Sequence, residues 1–220
     1  MVCMVSPRLR RLALALLAGT AIVGALGTYQ VAADGPRVLS LDYERTIPAF
    51  WSGGVLWLAA LAALLIARDD AMPGPRWPWW GLAALFAFMG VDEISSIHER
   101  IARLTGLRWE IPYIPIMLGA AVLGVAVLLR LYRERPALAV GFALGGATWA
   151  GSQVFEVIQW HDGEKVAAYN VLMVIEEIGE MTGSAIFALA LFGWVWRAQP
   201  AGAPAAVRSG ERARDPAPTR

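Results

Sequence analysis

The sequence predicts an all-α fold, a polytopic bundle of six transmembrane helices with both termini cytoplasmic. Three observations predict it. The 220-residue chain is 57% hydrophobic and only 17% charged, with a mean hydropathy of +0.51, so it has too few charges to cover a water-facing surface. Six apolar runs, at about 12–31, 47–67, 77–98, 112–129, 137–160 and 168–196, each approach or exceed the roughly 20 residues that cross a ~30 Å hydrocarbon core. Lysine and arginine are distributed unevenly between alternate loops.

The first run follows Arg8, Arg10 and Arg11 and ends near Val31-Ala32-Ala33, which also resembles the cleavage site of a signal peptide. Its apolar stretch exceeds the usual 7–15 residues of such a peptide, which favours a retained helix. Pro48, Pro78, Pro112 and Pro136 stand at or near the start of the next four runs, where a missing backbone N–H leaves no helical bond unmade. The sixth run is long enough to tilt or to project from a bilayer. The sequence thus divides into a cytoplasmic N-terminus (1–11), a six-helix transmembrane domain (12–196) and a cytoplasmic tail (197–220). That tail is rich in Ala, Pro and Arg, has no apolar periodicity and is expected to be disordered.

With the N-terminus inside, thirteen basic residues fall in inner segments and six (Arg37, Arg45, Arg100, Arg103, Arg108 and Lys165) in outer loops, as the positive-inside rule requires. Trp77, Trp79, Trp80, Trp194 and Trp196 would form an inner aromatic belt, with Trp109 and Trp160 near the outer interface. A net charge of +1 without a basic, aromatic-interleaved patch argues against nucleic acid as a partner. Cys3 is the sole cysteine, which rules out an intrachain disulfide or a cysteine-cluster metal site; it is a lipidation candidate or a bystander. Eighteen arginines against one lysine indicate a GC-rich, bacterial source. The expected location is the cell (inner) membrane, with lipid as the surrounding partner and no protein partner specified.

Seven acids interrupt the apolar runs: Asp92, Glu93, Glu99, Glu156, Glu176, Glu177 and Glu180. A carboxylate near a bilayer centre costs roughly 2.5–3.5 kcal/mol on insertion scales, so such residues mark a functional site by default. Their depths match. From Trp80 to Asp92 is about 18 Å of helix, from Pro136 to Glu156 about 30 Å, and from Trp196 back to Glu180 about 24 Å. All seven therefore fall in the outer half.

Helical spacing places Gly141, Gly145, Thr148, Ser152, Glu156 and Gln159 on one stripe of the fifth run. Small residues there let helices approach closely and lead Glu156 into the bundle; the alternative is a packing seam with an interfacial glutamate at its end. In the third run Asp92, Ser95 or Ser96, and Glu99 share a face, with Glu93 and His98 flanking it. In the sixth, Glu176, Glu180 and Gly183 align, with Glu177 beside Glu180 and Ser184 extending that edge. Glu99 has a plain alternative reading, solvation at a helix end.

With no Lys or Arg embedded beside them, seven carboxylates cannot all be charged in a low-dielectric bundle. Protons, a divalent cation held by carboxylates and His98, or outer-loop Arg100 and Arg103 folding back onto Glu99, Glu156 or Glu180 would each compensate. The outer loop 32–46, with Asp34, Asp42 and Glu44, either covers the cluster or is solvated. His98 is a capping group, a ligand or a proton acceptor. His161, beside Asp162-Gly163, is expected in a turn, near enough to Glu156 to offer a second nitrogen.

The Asp92-Glu93-x4-His98-Glu99 segment and the later Glu176-Glu177-x2-Glu180 segment resemble those of a set of uncharacterised bacterial multi-pass membrane proteins. The likeness spans about 80–195 and implies a shared site without a named reaction. Other patterns fit poorly. The Glu-x-x-His pairs of di-iron bundles are absent, as is a zincin His-Glu-x-x-His. Glu176-Glu177 resembles the paired glutamates of intramembrane CAAX-type proteases but lacks the arginine and later histidines. Ser95 or Ser96 with His98 is a weak nucleophile and base.

The leading expectation is a carboxylate and histidine pocket open to the extracytoplasmic side, binding a divalent cation or protons. Its ligand candidates are Asp92, Glu99, Glu156, Glu176, Glu180 and His98. Glu93, Glu177, Ser95, Ser96, Gln159, His161, Arg100 and Arg103 are secondary. A catalytic metal would activate water for hydrolytic or redox chemistry on a membrane-soluble substrate. The alternatives are a proton- or cation-coupled transporter and a structural protein whose acids pair with outer-loop arginines.

Overall fold

Local capping and proline chemistry set the helix starts. The Ser6 hydroxyl accepts the Leu9 N–H at 3.2 Å ahead of Pro7, and Thr46 accepts the Ala49 N–H at 3.4 Å ahead of Pro48. Both are N-cap arrangements that satisfy a backbone donor left over at a helix start. The structure, a computed structural model, describes residues 6–70, 74–161 and 164–196. Cys3 and the tail 197–220, with its expected disorder, lie outside the described residues.

The elements in chain order are α1 (Pro7–Ala33), a 3₁₀ turn (Arg37–Leu39), α2 (Ile47–Arg68), α3 (Trp77–Ser95), α4 (Ile97–Thr105), α5 (Glu110–Glu134), α6 (Pro136–Ile158), β1 (Trp160–His161), β2 (Glu164–Lys165) and α7 (Tyr169–Val195). The architecture is a helical bundle, and its six long helices fall on the six apolar runs. Four of them, α1, α2, α5 and α7, are long and apolar enough to cross a membrane; a fifth span results if α3 and α4 are counted together. The sequence of α6 is diluted by Gly, Thr, Ser, Gln and Glu along one side.

One boundary differs from expectation. The third run, expected to continue to residue 98, ends as α3 at Ser95, and α4 leaves it at a bend of 72°. The helical-face argument that grouped Asp92 with Glu99 therefore fails beyond Ser95. His161 also differs in detail: it pairs with Glu164 in a two-stranded antiparallel ribbon, and the adjoining 162–163 lie outside the described residues.

Helix neighbours run in a ring, α1, α2, α3, α5, α6, α7 and back to α1, with α2 also packed on α7 across the middle. Two crossings in this ring are backbone to backbone. A Cβ on Gly53 would stand 2.7 Å from the Gly90 carbonyl oxygen, and one on Gly90 would stand 2.8 Å from that of Gly53. In α6 and α7, Gly145 and Gly183 repeat the arrangement at 3.1 and 3.0 Å. Each pair sits one turn from an acid, Gly90 below Glu93 and Gly183 below Glu180.

Aromatic layers continue inward from these crossings. Phe86 and Phe187 have ring centroids 5.2 Å apart, Phe142 and Phe187 4.9 Å, and Trp79 and Trp194 5.9 Å. Trp79, Phe86 and Glu93 recur every seven residues on α3, as Glu180, Phe187 and Trp194 do on α7. Seven residues make nearly two helical turns, so the layers stack about 10 Å apart on facing sides. The same geometry that pairs Trp with Trp and Phe with Phe brings glutamate to glutamate.

Adjacent glycines give a direct test of the crossing. Gly53→Ala is expected to destabilise the protein by about 1–3 kcal/mol through overpacking against backbone. Gly54, beside it on α2, meets nothing within 4 Å, so Gly54→Ala is expected to be neutral or stabilising by up to about 1 kcal/mol. Thermal unfolding of the two variants in detergent checks the contrast, and equal effects would refute the close-contact account.

Candidate functional site

The α3–α4 break organises one side of the acidic end. Ser96 adopts a left-handed conformation, φ 49° and ψ 51°, which costs an L-residue roughly 1–2 kcal/mol. Several bonds hold it there. Its N–H donates to the Asp92 carbonyl at 2.8 Å, and its side chain faces the Glu44 carboxyl. Ser96 gives α4 no side-chain cap; instead Asp92 Oδ1 accepts the His98 N–H at 2.9 Å from one turn back. Asp92 Oδ2 lies 3.1 Å from His98 Nδ1, and the Tyr113 hydroxyl donates to Asp92 Oδ1 at 3.1 Å. The His98 ring packs edge-on against Trp109 and Tyr113, at centroid separations of 5.4 and 6.3 Å.

These contacts reassign three candidates. Asp92 turns toward His98 and Tyr113 and closes the break. His98 is held between that carboxylate and two aromatic rings. Glu99 is exposed on α4 and pairs with Arg103 at 3.1 Å, one turn along. That is the one expected outer-loop pairing the structure contains among the described residues, and it lies away from Glu156 and Glu180. Arg100 is exposed. The Ser95 hydroxyl donates to its own helix at the Val91 carbonyl, 2.6 Å away, and His161 is exposed in β1.

A second group faces the bundle interior. Glu93 faces the Ser52 hydroxyl of α2. On α7, Glu180 Oε1 accepts from Gln153 Nε2 at 2.6 Å, and the Ser152 hydroxyl, which donates to the Trp149 carbonyl at 2.6 Å, lies 3.4 Å from the same oxygen. Glu176, only 9% exposed, accepts from Gln159 Nε2. Glu177 stands in electrostatic reach of Glu44, Glu93, Glu176 and Glu180, and Glu93 is likewise felt by Glu44, Glu176, Glu177 and Glu180. Glu156 lies to one side, accepting from Trp109 Nε1 at 2.9 Å. Among the described residues no ion pair joins Glu93, Glu176, Glu177 or Glu180 to lysine or arginine. The α6 stripe does face α7: Gly145 and Ser152 are buried there, and Gln159 reaches Glu176.

The loop before α2 covers this group. Tyr169 donates to Asp42, and Lys165 Nζ lies 3.5 Å from Asp42 Oδ2, so the start of α7 and the ribbon anchor the loop. Burial pushes the Glu44 carboxyl up to about 7, and nearby Glu93 adds to this, while the Ser96 hydroxyl and His98 oppose it. Among the described residues, no group of three or more His, Cys, Asp or Glu side chains is arranged to hold a metal ion.

Sequence reasoning ranked Glu93 and Glu177 as secondary, yet both are central to the interior group. It missed Ser52 and Gln153 as partners and Tyr113 as the anchor of Asp92. A heptad scan would have placed Glu93 opposite Glu180, because each continues a row of stacked aromatics. No local signal singles out Ser52 or Gln153, whose partners lie on other helices.

Fold and site together define a helical bundle with a carboxylate group walled by α2, α3, α6 and α7 at one end. The chain belongs to the family described as a domain of unknown function, DUF8692, which matches residues 9–195. That match covers nearly all of α1 and extends to the end of α7. No curated protein and no solved structure matches the chain.

Two outcomes are expected. Asp92→Ala should destabilise by about 1–3 kcal/mol, since it strands the His98 N–H and the Tyr113 hydroxyl, and should shift Trp109 fluorescence; Glu99→Ala should change stability by less than about 1 kcal/mol. The loop carrying Glu44, which faces Glu93, His98, Glu99 and Glu177, should respond to pH. A carboxyl whose folded-state pKa is raised from 4.5 to about 7 contributes most below pH 4.5 and progressively less as pH climbs through 7. Hydrogen exchange of residues 40–46, corrected for intrinsic rates, should show the loop loosening across that window in the native chain but much less in Glu44→Gln.

Proposed function

We propose that this is a six-span integral membrane protein, with both termini cytoplasmic, whose outward-facing carboxylate crevice binds cations. Protons and a metal ion compete there for the same glutamates. The observation that carries this reading is the grouping of Glu93, Glu176, Glu177 and Glu180 around α7 with hydroxyl and amide neighbours but, among the described residues, no lysine or arginine pairing. Carboxylates this close in a poorly hydrated bundle need positive charge supplied from outside the protein's own side chains.

A lipid setting is supported by the outer faces of the helices, where Leu14, Leu17, Leu118, Val122, Val125 and Leu129 are exposed. Apolar helix faces exposed to this degree are at home in hydrocarbon and out of place in water. The positive-inside count supports the orientation and a cell (inner) membrane location. The DUF8692 match supports 9–195 as the working unit.

Cation-coupled transport is a second reading, favoured by one observation. The acidic end is backed by the Phe86–Phe142–Phe187 and Trp79–Trp194 layers, so the polar group has the loop of Asp42 and Glu44 toward one end of the bundle and an apolar barrier toward the other. That is the geometry of a site captured facing one side.

Proton displacement tests the cation reading. Adding a saturating metal salt to the purified protein in weak buffer near pH 7 is expected to release protons, detected with an indicator dye. Glu93→Gln and Glu180→Gln should each cut the release by at least about half. No release with any cation, in protein that is folded, would remove the basis for the proposal.

A further inference from the structure

Ser184 is 0% exposed and its Oγ has no hydrogen-bond partner. A helical hydroxyl ordinarily avoids this by donating to the carbonyl four residues back. Thr28, Ser95, Thr105 and Thr148 all do so in this chain, at 2.6–2.9 Å. Ser184 does not, although Glu180 stands four residues before it on the same helix. A wholly buried polar group left unpaired costs stability and calls for an explanation.

Its position supplies one. Ser184 lies one turn inward of Glu180 and two turns inward of Glu177, on the face of α7 they share. Phe187, which packs on Phe86 and Phe142, follows three residues later. The hydroxyl therefore lies along α7 between the carboxylates and the aromatic layer.

The donors nearby are of one kind. Glu93, Glu177 and Glu180 offer carboxylate oxygens, and Ser52, Ser152 and Ser184 offer hydroxyls. The nearest histidine, His98, is held outside by Asp92, Trp109 and Tyr113. Oxygen-only sites select hard cations, whereas imidazole and thiolate favour transition metals.

We propose that the crevice takes a hard alkali or alkaline-earth cation, with the Ser184 hydroxyl as its innermost ligand beneath Glu177 and Glu180. This rests on the cation reading above and narrows it to a ligand class and a specific group.

The test uses the full chain in phosphatidylcholine nanodiscs, in choline buffer free of sodium and calcium. NaCl, CaCl₂ and ZnCl₂ are titrated separately by calorimetry, with thermal unfolding measured in parallel. Sodium or calcium is expected to bind saturably and raise Tm, the two arms identifying which, and zinc to bind more weakly. Ser184→Val should weaken that binding at least tenfold, and Ser184→Thr, isosteric with the valine variant, should retain it within about threefold; both carry similar added bulk, so the hydroxyl accounts for the difference.

Tighter binding of zinc, or equal affinities for the Thr and Val variants, would overturn the proposal. If zinc alone binds and displaces protons, the cation reading survives and this inference fails. If no cation binds or displaces protons, both fail.

Discussion

Two backbone contacts set the geometry on which the acidic end depends: Gly53 against Gly90, and Gly145 against Gly183. Helix axes normally stay roughly 8–10 Å apart because side chains intervene. Removing the Cβ atoms at these four positions lets α2 meet α3, and α6 meet α7, carbonyl to α-carbon. Neighbouring polar groups are then carried into reach without long side chains. Ser52, beside Gly53, reaches Glu93, and Ser152, two turns beyond Gly145, reaches Glu180. Serine is short, so a slightly wider crossing would leave both carboxylates without their hydroxyls.

The acids divide into groups with different physical roles. Asp92 is structural, receiving a backbone N–H and a tyrosine hydroxyl where the chain turns into α4. Glu99 is solvated and salt-bridged on the surface, where such a pair contributes little. Glu156 is tied to α5 through Trp109. Glu93, Glu176, Glu177 and Glu180 remain, turned toward one another and toward Glu44. Grouping like charges in this way is unfavourable for packing alone, which is the physical basis of the proposal that a cation compensates them.

Layering separates this polar end from the other end of the bundle. Seven-residue spacing keeps successive side chains on nearly the same helical face, so α3 and α7 meet as glutamate with glutamate, phenylalanine with phenylalanine and tryptophan with tryptophan. The aromatic rings pack against one another between the acidic end and the other end of the bundle. Ser184 lies at the boundary between the two regimes, which is why its unpaired hydroxyl is informative.

The sequence by itself determined the six long helices and the gathering of the acids toward one end of the bundle. Apolar length and proline position are local properties, and counting residues from a helix end converts directly into distance. It also determined that the small-residue stripe of α6 would face a neighbour, since close approach requires small residues wherever it occurs. Tertiary structure alone decided which acids meet. Ser96 could have continued α3, and helical spacing then grouped Asp92 with Glu99; the left-handed turn is held by Asp92, Glu44 and Tyr113, groups that come together only after α2, α3 and α5 are packed. The promotion of Glu93 and Glu177, and the arrival of Glu44 above them, follow from the same cause, because rotation of one helix against another is set by packing across the crossing rather than by any sequence within one helix.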